Sequence, residues 1–133
     1  MECYCKTIFI EALTMIDMVK VEIIPACIDY QNDLIRLIKA KKSCGEYDSA
    51  LENHLLGEIA KRSSCLLKKL DALENVLLES RGKNELSARA DFSRERIFAI
   101  MSELRLIVDE LETLVAKKYW PFPAYAQMLY SVV

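Results

Sequence analysis

Turn-forming residues are scarce. Three glycines and three prolines stand in 133 residues, where average usage would give roughly 16. A sandwich, a barrel or a loop-rich scaffold breaks the chain far more often than that. Histidine is nearly absent, with His54 alone, so no histidine pair is at hand for a metal centre. Cysteine occurs at 3, 5, 27, 44 and 65, an odd set without the C-x-x-C spacing of a zinc finger or redox motif. A reduced, cytoplasmic protein is the reading this supports. Charge of one sign is missing too: 18 basic residues face 20 acidic ones, for a net charge of -2. No basic excess exists to hold a phosphate backbone or an anionic lipid surface, which argues against nucleic-acid and membrane partners. The longest apolar runs, such as residues 23–28, fall far short of the roughly 20 residues that span a bilayer. No secretory leader is visible, because Glu11 cuts the apolar stretch Ile8, Phe9, Ile10.

What remains is 53% hydrophobic and 29% charged, the mixture of amphipathic helices in one domain. Three long periodic segments are predicted, at residues 7–42, 49–80 and 85–118. In the third, Leu86, Ala90, Ser93, Ile97, Ile100, Leu104, Ile107, Leu111, Leu114 and Lys118 follow a/d spacing, and eight of the ten are apolar. Met101, Val108 and Val115 widen that stripe, so it calls for two neighbouring helices rather than one. In the second, Leu56, Ile59, Ser63, Leu66, Leu70, Leu73, Leu77 and Ser80 keep heptad spacing. Ser49 and Glu52 have the spacing of a capping box, and Gly82 can supply the left-handed residue that stops a helix. The first segment places Leu13, Ile16, Ile23, Cys27, Tyr30, Leu34 and Leu37 on one face, with Lys20 as its polar interruption. Pro25 removes an N–H from its middle, so a kink is expected there within one continuous helix. Each helix would be roughly 45 Å long. Short connections force antiparallel neighbours, which gives an all-α, antiparallel up-down-up three-helix bundle.

The remainder, residues 119–133, is expected to be an extended aromatic tail, since a residue before proline leaves the helical region. Five of the chain's eleven aromatic residues fall in it (Tyr119, Trp120, Phe122, Tyr125, Tyr130). Two roles suit it: Trp120 and Phe122 fold back to close one end of the bundle, or Trp120, Phe122 and Tyr125 anchor the domain to another surface.

Catalytic patterns find little support. Di-iron bundles need Glu-x-x-His pairs, but Leu51 stands three residues before His54 and Glu52 faces elsewhere. Cys27 and Cys65 read as small core residues rather than nucleophiles. Asp109, Glu110 and Glu112, flanked by Leu111 and Leu114, read as a solvated helix face. Lys61, Arg62, Lys68, Lys69, Arg94 and Arg96 are scattered among acids without the interleaved aromatics of single-strand binders. No glycine-rich phosphate loop is present. No residue is assigned to catalysis, cofactor binding or metal binding.

Three stretches resemble the C-terminal region of type III glutamine synthetases. They are residues 10–18 (Ile-Glu-Ala-Leu-Thr-Met-Ile-Asp-Met) with Ile24, Pro25 and Ala26 following, residues 101–115 (Met-Ser-Glu-Leu-Arg-Leu-Ile-Val-Asp-Glu-Leu-Glu-Thr-Leu-Val), and residues 119–125 (Tyr-Trp-Pro-Phe-Pro-Ala-Tyr). The ending, residues 127–133, is longer than the short apolar ending of that family. The resemblance implies a fragment of a longer parent that joins ammonia to glutamate through a γ-glutamyl phosphate, using ATP and a divalent metal, Mg2+ or Mn2+. It implies partners as well: the parent's own catalytic domain and neighbouring subunits of a ring-shaped homo-oligomer. The parent's catalytic residues belong upstream, so the domain itself is expected to serve structure and assembly without catalysis. A free-standing helical-bundle adaptor is the alternative, and a bundle metalloprotein a third.

Overall fold

A computed structural model describes residues 2–81 and 88–121, with side chains for 8–79 and 94–121. Gly82, Phe122 and Tyr125 lie outside the described residues. Among the described residues there are three helices and no strand. The first comprises α1 (Glu2–Met18), a π-helical turn (Val19–Ile23) and α2 (Ile24–Cys44) without interruption; α3 is Ala50–Arg81 and α4 is Ala88–Leu114.

Where the sequence predicts a kink at Pro25, the helix contains the π turn just ahead of it. The Ile24 N–H donates to the Val19 carbonyl, five residues back instead of four. An extra residue is thus taken up next to the one residue that cannot donate. The buried face shifts with it. Ile8, Ala12, Ile16, Val19, Ile23, Cys27 and Leu34 are buried, and Tyr30 is partly so. Their spacing repeats as four, four, three, an eleven-residue period rather than a heptad. The stripe drawn through Leu13, Lys20 and Leu37 is therefore corrected. Leu13 and Leu37 are about half exposed, and Val19, not Lys20, faces the core.

The other two helices keep the seven-residue period. Ile59, Leu66 and Leu73 with Leu70 and Leu77 from α3, and Ile97, Leu104 and Leu111 with Val115 beside α4, are all buried. Full burial of one such side chain contributes about 1.5–3 kcal/mol over exposure. α1 packs on both α3 and α4, while α3 also packs on α2 and α4.

Ion pairs record the direction of each helix. Lys41 meets Glu52 at 2.6 Å beside the connection and Lys20 meets Glu74 at 2.7 Å far from it. Across the next interface Arg62 meets Glu110 (2.9 Å), Lys69 meets Glu103 (2.6 Å) and Arg96 meets Glu79 (3.5 Å). In each set of pairs the residue numbers rise along one helix as they fall along its neighbour.

The link between α2 and α3 does not use the capping box suggested by Ser49 and Glu52. The Ala50 N–H donates to Asp48 Oδ1 (3.0 Å), and the Glu52 carboxylate turns back to Lys41. Gly45 ends α2 with φ +155° and ψ −159°, a conformation essentially reserved for glycine. The third helix stops at Leu114 rather than Lys118. Two tight turns follow, Tyr119 N–H to the Ala116 carbonyl and Trp120 N–H to the Lys117 carbonyl, and bring the chain to Pro121.

Candidate functional site

Trp120 is partly buried against the hydrophobic core, and so is Tyr119. The Tyr119 ring lies 5.7 Å from that of Tyr30 in α2, tilted by 38°, a spacing at which aromatic rings attract. Lys118 Nζ sits 4.9 Å from the centre of the same Tyr119 ring. The end of the third helix is thereby fastened to the middle of the first. Of the three residues expected to form an interaction element, only Trp120 is among the described ones.

Sequence reasoning missed a second feature, an open groove of about 370 Å³ between α2 and α3. Its walls are Ile24, Cys27, Ile28 and Gln31 on one helix and Ala60, Ser63, Ser64 and Leu67 on the other, with Leu66 beneath. Ile28 and Leu67 stand at its rim, 58% and 53% exposed. The groove exists because α3 presents small side chains there, and Gly57, one turn earlier, adds none. Among the described residues no charged one lines it. Burial pushes the Cys27 thiol up, against the smaller downward pull of the Ser63 hydroxyl facing it. That hydroxyl is buried and has no other partner among the described residues. A thiol so placed is a poor nucleophile. Cys65, expected in the core, is exposed, as is Cys44.

The remaining candidates are dispersed. His54 is exposed on α3. Asp109 and Glu110 are exposed and Glu112 half-buried, with Glu110 bound to Arg62. Through Glu110 Arg62 links α3 to α4; it also binds Glu58 on its own helix, and that pairing holds the Glu58 carboxyl below the usual carboxylate range. Among the described residues no group of three or more His, Cys, Asp or Glu side chains is placed to hold a metal ion. Nor is any described helix long and apolar enough to cross a membrane.

Comparison with known proteins gives these observations a setting. The family model described as the glutamine synthetase C-terminal domain matches residues 1–42, the first helix almost to its end. A glutamine synthetase of Butyrivibrio fibrisolvens is 35% identical over 133 residues, 99% of this chain and 19% of that protein. The type-3 glutamine synthetase of Dictyostelium discoideum is 27% identical over 97% of this chain and 18% of its own length. A glutamine synthetase of Bacteroides fragilis is 26% identical over 98% and 19%. The chain spans about a fifth of the length of the curated relatives it matches. No solved structure matches it. By a family model over its first helix and by relatives aligned along nearly all of it, the chain is recognised as similar to the C-terminal domain of glutamine synthetases, the type-3 enzyme among them.

Proposed function

We propose that this chain is the C-terminal structural and assembly domain of a type III-like glutamine synthetase, an up-down-up three-helix bundle without catalytic residues of its own. The observation that carries the reading is the alignment of nearly all of the chain with about a fifth of each relative. The larger enzyme would join ammonia to glutamate at the expense of ATP, with Mg2+ or Mn2+, in the part of the protein that this chain does not cover. The domain's task is mechanical: a rigid set of long helices presents surfaces to the catalytic domain and to neighbouring subunits of a ring. Trp120, Phe122 and Tyr125 are the anchor residues in this proposal, and aromatic side chains are favoured anchors at such interfaces.

Two measurements test it. The isolated chain is expected to give no γ-glutamyl transfer above background, and turnover would overturn the non-catalytic role. Sedimentation of a full-length relative without this region should show a smaller assembly. An unchanged ring would remove the assembly role.

The open apolar groove favours one competing reading, a free-standing adaptor that recruits a partner helix. The reading frame upstream of Met1 separates the two, since a long catalytic region there fits only the synthetase.

A further inference from the structure

A second apolar stripe runs along the first helix, outside the bundle core. Val21, Ile24, Ile28, Gln31, Ile35 and Ile38 are spaced alternately three and four residues apart, the a/d pattern of a helix suited to another helix. From Ile24 to Ile35 each follows directly after a core-facing residue, so the stripe lies about 100° round the helix from the core. α3 borders one flank of it, across the groove, yet Val21 is 62%, Ile28 58% and Ile35 39% exposed. Leu67 of α3 extends the same apolar surface beyond the groove. Ion pairs stand at its two ends, Lys20 with Glu74 and Lys41 with Glu52. An apolar centre within a polar rim is the anatomy of a protein interface.

Charge beside the stripe selects the occupant. Glu22 and Asp29 lie toward its start, Arg36 and Lys39 toward its end. All four are exposed, and among the described residues none is in an ion pair. A second copy laid parallel and in register would set each charge against its own kind, which is unfavourable. Laid antiparallel, a positions meet d positions: Ile28 faces Gln31 of the second copy, Ile24 faces Ile35 and Val21 faces Ile38. Glu22 then comes level with Arg36 and Lys39 of the second copy, and symmetry repeats the match. Only Asp29, at the twofold axis, meets its like. The stripe is about 26 Å long, and two neighbouring helices with axes about 9 Å apart make the face about 18 Å wide. Two such faces would cover on the order of 1,000 Å² in total, the lower bound of a specific association.

We infer that this face of α2 and α3 binds a second copy of the chain, α2 against α2, antiparallel about a twofold axis near residues 29 and 30. The inference stands on this chain's own surface and not on the synthetase reading, which sedimentation of a full-length relative tests separately.

Sedimentation equilibrium of the full chain tests it, with a reductant present because Cys44 and Cys65 are exposed. A concentration-dependent equilibrium between monomer and dimer is expected. Ile28→Glu should abolish the dimer. Leu67→Glu, on the other helix, carries the same test where circular dichroism shows that the first variant has lost helix content. Glu22→Arg and Arg36→Glu should each weaken association several-fold. An equimolar mixture of these two should form mixed dimers in preference to either homodimer, read by native mass spectrometry. A chain monomeric at every concentration would leave the face to a different partner and overturn the proposal. A dimer indifferent to Ile28→Glu and Leu67→Glu, or charge variants without preference for each other, would overturn it as well.

Discussion

Val19 and Lys20 are adjacent in the chain and opposite in setting: Val19 is fully buried, while Lys20 reaches Glu74 of α3 at 2.7 Å with half of its side chain in water. The π turn produces this arrangement by moving the core-facing position back one residue. Val19→Ala is expected to cost about 2 kcal/mol, from lost methyl burial and an unfilled cavity. Lys20→Ala should cost less than about 1 kcal/mol, the range of an exposed ion pair. Urea unfolding of both variants checks the order. A Lys20 variant that proves the more damaging would restore the heptad stripe.

Gly45 supplies a second test. Its φ of +155° leaves no unstrained place for a side chain, although the nearest atoms, on the Tyr47 ring, are 3.6 Å from where a Cβ would stand. Backbone strain, not crowding, sets the penalty. Gly45→Ala should destabilise by about 1–3 kcal/mol, whereas Gly57→Ala, in a helix with open space around it, should stabilise by about 0.5–1 kcal/mol. Thermal unfolding of the two variants should move in opposite directions.

The Lys41–Glu52 pair gives a pH dependence. The hydrogen bond from Lys41 is the main influence holding the Glu52 carboxyl below its ordinary value, helped by its own backbone N–H and opposed by burial. A depressed carboxyl stabilises the fold above its unfolded pKa, about 4.3, and that contribution fades as the pH falls through the lower folded value. Acid titration of stability should therefore fall more steeply below pH 4.3 in the natural chain than in Glu52→Gln. Parallel curves would show that the pair contributes nothing.

Thiol labelling forms the fourth test. Cys44 and Cys65 are exposed and Cys27 is buried with its thiol pushed up by desolvation. A maleimide at neutral pH should modify Cys44 and Cys65 in the folded chain, and Cys27 only once denaturant is added. Peptide mass spectrometry reads each site separately. Early labelling of Cys27 would mean that α2 and α3 part readily there.

The helical class and the core of α4 were legible in the sequence because a regular heptad needs no tertiary information. Ile97, Leu104 and Leu111 repeat at seven and are buried. The first helix was drawn one position off at Lys20, since a heptad template cannot accommodate an inserted residue. The signal was nonetheless present: Ile8, Ala12, Ile16, Val19, Ile23, Cys27, Tyr30 and Leu34 are apolar throughout at four, four, three spacing. Ser49 and Glu52 misled because Lys41, distant in sequence, competes for the carboxylate. The groove had no sequence signature, because Ala60, Ser63 and Ser64 mark it by what they fail to fill. Trp120 was legible as a point where Pro121 forbids further helix, but its seat against the core depends on Tyr119 and Tyr30, which only the fold brings together.

The π turn also governs orientation. Each residue of an α-helix advances about 1.5 Å and rotates about 100°. Removing one residue between Val19 and Ile23 would barely shorten the rod, yet would swing everything ahead of it by more than a quarter of a revolution. Anything joined before α1 takes its bearing around the bundle from that single additional residue.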